Sequence, residues 1–110
     1  MSEAVLVRRI KKYLTEELGA LVVRQHGGPY SERGVSDLLC CIRHPLDGYG
    51  QFVAIEIKTD RGVVSPGQLR WLAKARTYGA LAFVARSVED VKKELAAAGW
   101  LSVDKVDEKS

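Results

Sequence analysis

Cysteine is scarce in this chain: there are two, and Cys40 and Cys41 are adjacent. On a strand their thiols point to opposite faces, and neither has a third cysteine with which to build a disulfide framework or a CxxC zinc knuckle. Both are therefore expected to be free thiols, as in a reducing cytosol. His26 and His44 flank the pair, but zinc would need them to converge with a thiolate whose neighbour points away, so they read as loop histidines. Long apolar runs are missing too. None approaches the ~18 residues that a membrane-spanning helix needs, and charges interrupt MSEAVLVRRIKKYL where a signal peptide would require a hydrophobic stretch. A cytoplasmic protein without a membrane partner is the expectation. Internal repeats and low-complexity segments are absent. Neither sign of charge dominates: 17 Lys and Arg against 14 Asp and Glu leave +3, compatible with a polyanionic partner but too little to identify one.

What is present is an ordinary globular composition, 46% hydrophobic and 28% charged over 110 residues, enough for one core. One domain is expected over 1–100, with 101–110 a polar tail. Val7, Ile10, Leu14 and Leu18 recur at helical spacing, which predicts an amphipathic helix from Glu3 to Leu18 ending at Gly19. A short strand follows over 20–23, then a surface loop over 24–36, rich in Gly, Pro and Ser. DLLCCIR (37–43) and QFVAIEIK (51–58) read as the strands of a hairpin turned by HPLDGYG. Ser65 offers a helix N-cap, Pro66 the first helical position and Gln68 the third, with a stop at Gly79. ALAFVA (80–85) is a buried strand; a helix separates it from strand 51–58, so the two are expected to lie parallel through a right-handed crossover. Ser87 caps a last helix ending at Gly99. The order is α-β-β-β-α-β-α.

Within FVAIEIKTDRG (52–62), Phe52, Ala54, Glu56 and Lys58 share one face of a strand that is otherwise apolar. Two charges in such a strand are costly unless paired, hydrogen-bonded or bound to a metal. A structural ion pair would satisfy Glu56 and Lys58, but it says nothing of Asp37, which opens the preceding strand and is placed to meet Glu56 across the hairpin. Two facing carboxylates repel unless a cation lies between them, and hard oxygen ligands suit Mg²⁺ or Mn²⁺, which keep several waters and bind phosphate oxygens. Lys58 beside such a cation would orient an attacking water and offset negative charge in the transition state. In outline this is a site for phosphodiester hydrolysis. Glu3 falls on the inward stripe of the first helix, although a helix N-terminus favours acids through its dipole in any case. Gln68 completes a capping box with Ser65 and needs no active site to explain it; both roles are compatible. Arg33 in the long loop and Arg61 just after Lys58 are placed to meet phosphates, though for each taken singly a generic surface arginine is at least as good a reading. Trp71 and Trp100 are expected to pack or to form an interface rather than to stack on bases.

GVSD (34–37), AIEIKT (54–59) and SPGQLRWL (65–72), with Glu3 near the start of the first helix, together resemble the VRR-NUC family, a branch of the PD-(D/E)xK nuclease superfamily. The resemblance runs from Glu3 to about Leu95. It implies an α/β fold with a restriction-endonuclease-like core, a mixed sheet flanked by helices. It implies that Asp37, Glu56 and the backbone carbonyl of Ile57 hold a divalent metal, that Lys58 is the catalytic lysine, and that Glu3 and Gln68 complete the catalytic set. Ser36 stands where the superfamily name has proline, a variation that the family tolerates. The resemblance to compact members further implies a homodimer acting on branched DNA such as four-way junctions; symmetric cleavage of two strands by so small a domain needs two centres related by a two-fold axis. The rivals are a catalytically silent nucleic-acid-binding module of the same fold, an assembly protein whose ion pair needs no metal, and a flap-cleaving or restriction-like nuclease.

Overall fold

In the computed structural model, which describes residues 1–26 and 33–100, the Ser2 hydroxyl opens the first helix by accepting the Val5 N–H at 3.2 Å. The centre of the 24–36 loop and the tail expected over 101–110 lie outside the described residues. Helix α1 (Glu3–Lys12) buries Leu6, Val7 and Ile10, the stripe its periodicity predicts. The expected single α-helix to Leu18 differs in its last turn, which is a π-helical segment over Tyr13–Glu17. A local cause is visible: the Thr15 hydroxyl donates to the carbonyls of Lys11, at 2.9 Å, and Lys12, at 3.3 Å. It thereby competes for the carbonyl that an α-helical ladder would offer to the Thr15 amide. Leu14 stays fully buried despite the wider turn.

Four strands follow in the expected sense: β1 (Leu21–Arg24), β2 (Leu38–Arg43), β3 (Gly50–Ile57) and, after helix α2 (Pro66–Thr77), β4 (Leu81–Ala85). They form one sheet in the order β1-β2-β3-β4. β1 to β3 are antiparallel, with Leu38 opposite Ile55 and Cys41 opposite Phe52, whereas β3 and β4 pair parallel, with Ile55 beside Phe83. A short turn over 44–49 joins β2 to β3, whereas the parallel pair needs the α2 crossover. Helix α3 (Val88–Ala97) closes the chain order α-β-β-β-α-β-α.

The two sheet faces are unequally covered. Val53, Ile55, Ile57, Leu38, Ile42 and Phe83 pack against α1 and α3 in the main core. The opposite face holds a smaller cluster in which Leu72 of α2 packs on Ala54 and Ala82, flanked by Leu39, Trp71, Ala75 and Val84. Small residues at Ala54 and Ala82 allow α2 to lie close to β3 and β4, which fixes the height of its N-terminus above the end of β3. Beyond α2 this face is open: Leu21 and Val23 on the edge strand are 74% and 56% exposed. Among the described residues no helix is long and apolar enough to cross a membrane.

Candidate active site

β3 carries five buried residues in succession from Val53, and the fourth of them is Glu56, 1% exposed. Its carboxylate lies on the α2 face, under the first turn of that helix. Gln68 Nε2 donates to Glu56 Oε2 at 2.9 Å, and Lys58 Nζ stands 3.7 Å from the same oxygen. With both carboxyls ionised, the buried Glu56 Oε1 accepts no hydrogen bond among the described residues. Asp37 stands one residue before the Leu38–Ile55 pair, so the antiparallel register places it across from Glu56. Its Oδ2 accepts the backbone N–H of Ile57 at 2.8 Å, which ties the loop-borne acid to the strand that carries the buried one.

The electrostatics follow from this placement. Burial, then the neighbouring Asp37 carboxyl through hydrogen bonding and charge, push Glu56 up from 4.5 to about 8; Lys58 opposes the shift and Glu3 adds to it. Glu3 remains exposed at the start of α1, yet its charge reaches the cluster. The structure thus gathers Glu3, Asp37, Glu56, Lys58 and Gln68 at one end of β3. Arg33 and Arg61 are exposed on loops flanking that end.

Gln68 is held from both sides. Its Oε1 accepts the Ser65 N–H at 2.8 Å while its own N–H donates to Ser65 Oγ at 3.1 Å, a complete capping box. The amide nitrogen left over is the one that reaches Glu56. The cap and the site contact therefore coexist in one side chain.

A hard divalent cation fits this donor set. Two carboxylates converge, and one buried carboxylate oxygen lacks any donor, a costly state that a cation would relieve. Among the described residues no group of three or more His, Cys, Asp and Glu could hold a metal. The side chains supply two ligands, so the remainder of a coordination shell falls to backbone carbonyl, water or substrate oxygen, which is the habit of Mg²⁺ rather than of zinc.

Three positions that shape the site escape sequence reasoning. Gly34 has φ +83°, and a Cβ there would lie 2.8 Å from the Gly67 carbonyl oxygen. Only glycine lets the Asp37 loop pack this closely onto the start of α2. Gly62 lies against the Lys58 stem, where an added Cβ would stand 3.1 Å from Lys58 Cδ. Arg86, just after β4, donates through one guanidinium nitrogen to the Thr59 and Gly62 carbonyls. It holds the loop that carries Arg61. The only signal for Arg86 in the sequence is a cation at the end of a buried strand, which names no partner.

The remaining candidates are structural. His44 Nδ1 accepts the Leu46 and Asp47 amides at 3.3 and 3.0 Å, and its ring stacks on Tyr49 at 4.9 Å and meets Trp100 edge-on at 5.2 Å. Cys40 and Cys41 are free thiols; burial pushes Cys40 up to about 12, while Cys41 is exposed.

The model of the VRR-NUC domain family matches residues 4–89. Among solved structures, one described as a VRR-NUC domain is 27% identical, with 92% of this chain and 100% of that one covered at a TM-score of 0.64. A second, described as a VRR-NUC domain protein, is 14% identical over 94% of this chain and 90% of that one at a TM-score of 0.65, a likeness of fold. No curated protein matches.

Proposed function

This chain belongs to the VRR-NUC domain family, a family of nuclease type, and on that premise we propose that it is a divalent-metal-dependent DNA endonuclease. The observation that carries the reading is the cross-strand pair of carboxylates, Glu56 buried and Asp37 half-buried, with Glu56 Oε1 lacking a donor and Lys58 at 3.7 Å from Oε2. Asp37, Glu56 and the Ile57 carbonyl would hold Mg²⁺ or Mn²⁺, which when bound polarises a phosphoryl oxygen and acidifies a water.

The chain's own residues supply the rest. Gln68 fixes the Glu56 carboxylate through Oε2, leaving Oε1 without a donor and able to take a cation. The Ile57 amide fixes Asp37 in the same way. Lys58 orients a water for in-line attack on phosphorus and offsets the charge that gathers on the phosphoryl oxygens; the water oxygen forms the new P–O bond as the bond to the leaving oxygen breaks. Arg33 and Arg61 hold the flanking phosphates, as bidentate donors do. Glu3 adds negative charge at the rim, where it favours retention of a cation.

The substrate we propose is branched DNA, cut by a homodimer. One catalytic centre per subunit serves a four-way junction only when a two-fold axis supplies the second. Cleavage of junction, flap, single-stranded and linear duplex DNA with Mg²⁺ and Mn²⁺ tests the reading. Metal-dependent cutting of the junction ahead of the linear duplex is expected. Binding without cutting on any substrate, in either metal, would refute an enzyme and leave a binding module.

A further inference from the structure

The carboxylate cluster is not the only feature of the α2 face. A groove of about 490 Å³ lies at the opposite end of β3, between the start of that strand and the second half of α2. Its walls are Phe52, Trp71, Lys74 and Tyr78, with the backbone of Gly50 and Gly79 at its floor. Phe52 and Tyr78 present their rings to solvent, 45% and 83% exposed. Nothing in the hydrolytic site uses any of these residues.

The groove is connected to that site by geometry. Gln68, Trp71, Ala75 and Tyr78 follow one another at intervals of three and four residues, so they form one stripe on α2 that starts at Glu56 and ends in the groove. On the strand, Phe52 shares the face of Glu56, four residues or roughly 13 Å away. At about 3.4 Å per stacked nucleotide this is a separation of about four nucleotides. The charge is one-sided: α2 carries Arg70, Lys74 and Arg76 and no acid.

Resting on the nuclease reading, we propose that this groove binds an unpaired nucleotide of the DNA strand that runs along α2 from the active site. The base would stack on Phe52, Trp71 or Tyr78, and Lys74 would meet its phosphate; stacking on an aromatic platform tolerates any sequence because every base has a π face. The volume lies within the usual ~300–1,000 Å³ of a small-ligand site. A second copy of the chain is disfavoured as occupant, because a two-fold axis through the groove would bring Lys74 against Lys74, and neither α2 nor the groove lining offers an acid to receive it. The inference adds a determinant of substrate class to the proposed enzyme: a strand that is single or splayed a few nucleotides from the scissile bond, as at a branch.

A fluorescently labelled deoxythymidine octamer, titrated with the full chain in EDTA at fixed salt, tests this without any cleavage. Tyr78→Ala and Phe52→Ala are each expected to weaken binding about fivefold or more, the lower end of what one stacked base contributes. Lys74→Gln should weaken it and flatten the salt dependence by about 0.7 in the log–log slope, one phosphate on a single strand. In a Trp100→Phe background the octamer should quench the fluorescence of Trp71, the remaining tryptophan. Unchanged octamer affinity in both Tyr78→Ala and Lys74→Gln overturns the proposal. So does a change of sedimentation from dimer to monomer in these variants with octamer affinity intact, which would give the face to a second copy. Octamer binding that depends on the groove in a chain that cuts nothing would refute the nuclease and keep the groove. Groove variants that bind the octamer and cut like the parent protein would refute the groove and keep the nuclease.

Discussion

Glu56 is a carboxyl held where its charge is costly, and the cost has a pH signature. The folded chain keeps the proton up to about 8 whereas an ordinary glutamate loses it near 4.5, so between those values the folded state binds more protons than the unfolded one. Stability of the metal-free protein should therefore fall as pH rises through that window, by at most about 1.4 kcal/mol per pH unit from this group, and level off above it. Glu56→Gln keeps the shape of the neutral form and should remove that slope; urea unfolding in EDTA from pH 5 to 9 measures it. Divalent metal and proton compete for the same oxygens, so the wild-type slope should also shrink in excess Mg²⁺. The neighbouring lysine has a different signature. Lys58→Ala should abolish cleavage while leaving metal and DNA binding nearly intact, since its proposed role lies in the transition state. Glu56→Ala should instead weaken Mn²⁺ binding itself, as isothermal titration would show. Full turnover in Lys58→Ala would assign the water to another base.

At the level of the elements, the N-terminus of α2 is where fold and site meet. Ser65→Ala removes the hydroxyl that caps Gln68 N but leaves the Ser65 amide that holds Gln68 Oε1. It should lower stability by about 1 kcal/mol with little effect on cleavage. Gln68→Ala loses both the cap partner and the Glu56 contact, so it should lower stability and rate together; comparing melting temperature with turnover separates the two variants. Gly34→Ala strains the loop at φ +83° and drives a methyl into the Gly67 carbonyl. A loss of about 1–3 kcal/mol is expected, with weaker metal binding because Asp37 rides on that loop. Thermal unfolding and Mn²⁺ titration of the same variant check both halves.

The same elements show what a sequence can and cannot convey. Ser65, Pro66 and Gly79 announce α2 because capping and termination are local chemistry. Glu56 and Lys58 announce the site because charge in an apolar strand is anomalous whatever surrounds it. The π-helical turn at Tyr13–Glu17 is not announced, since Thr15 is equally at home in an α-helix. Nor are the Arg86 clamp and the Gly34–Gly67 contact, which join residues 24 or more apart. Pattern reading reports what a residue wants within a turn or two; it does not name a distant partner.

For the whole molecule, the question is how a chain with a net charge of only +3 holds DNA. Counterion release by so few charges gives weak binding to a long duplex. Two subunits would double the basic surface, and a branched substrate would let both engage at once. We therefore expect a dimer in sedimentation at micromolar concentration, and tighter binding of a four-way junction than of linear duplex in competition at equal salt. A monomer without that preference would remove the junction from the proposal and leave the hydrolytic site as it stands.

The parallel pairing of β3 with β4 also sets a timetable. A chain emerging from the ribosome releases Asp37, Glu56 and Lys58 before β4 exists, and β3 is then an unpaired edge. Until residue 86 has followed, nothing holds the Thr59 and Gly62 carbonyls, and the Lys58 loop has no anchor. Long-range parallel pairing is intrinsically slow to form. A chain truncated before β4 would thus carry every acid of the proposed site without the contacts that hold the Lys58 loop, and is expected to show no cleavage in a nuclease assay.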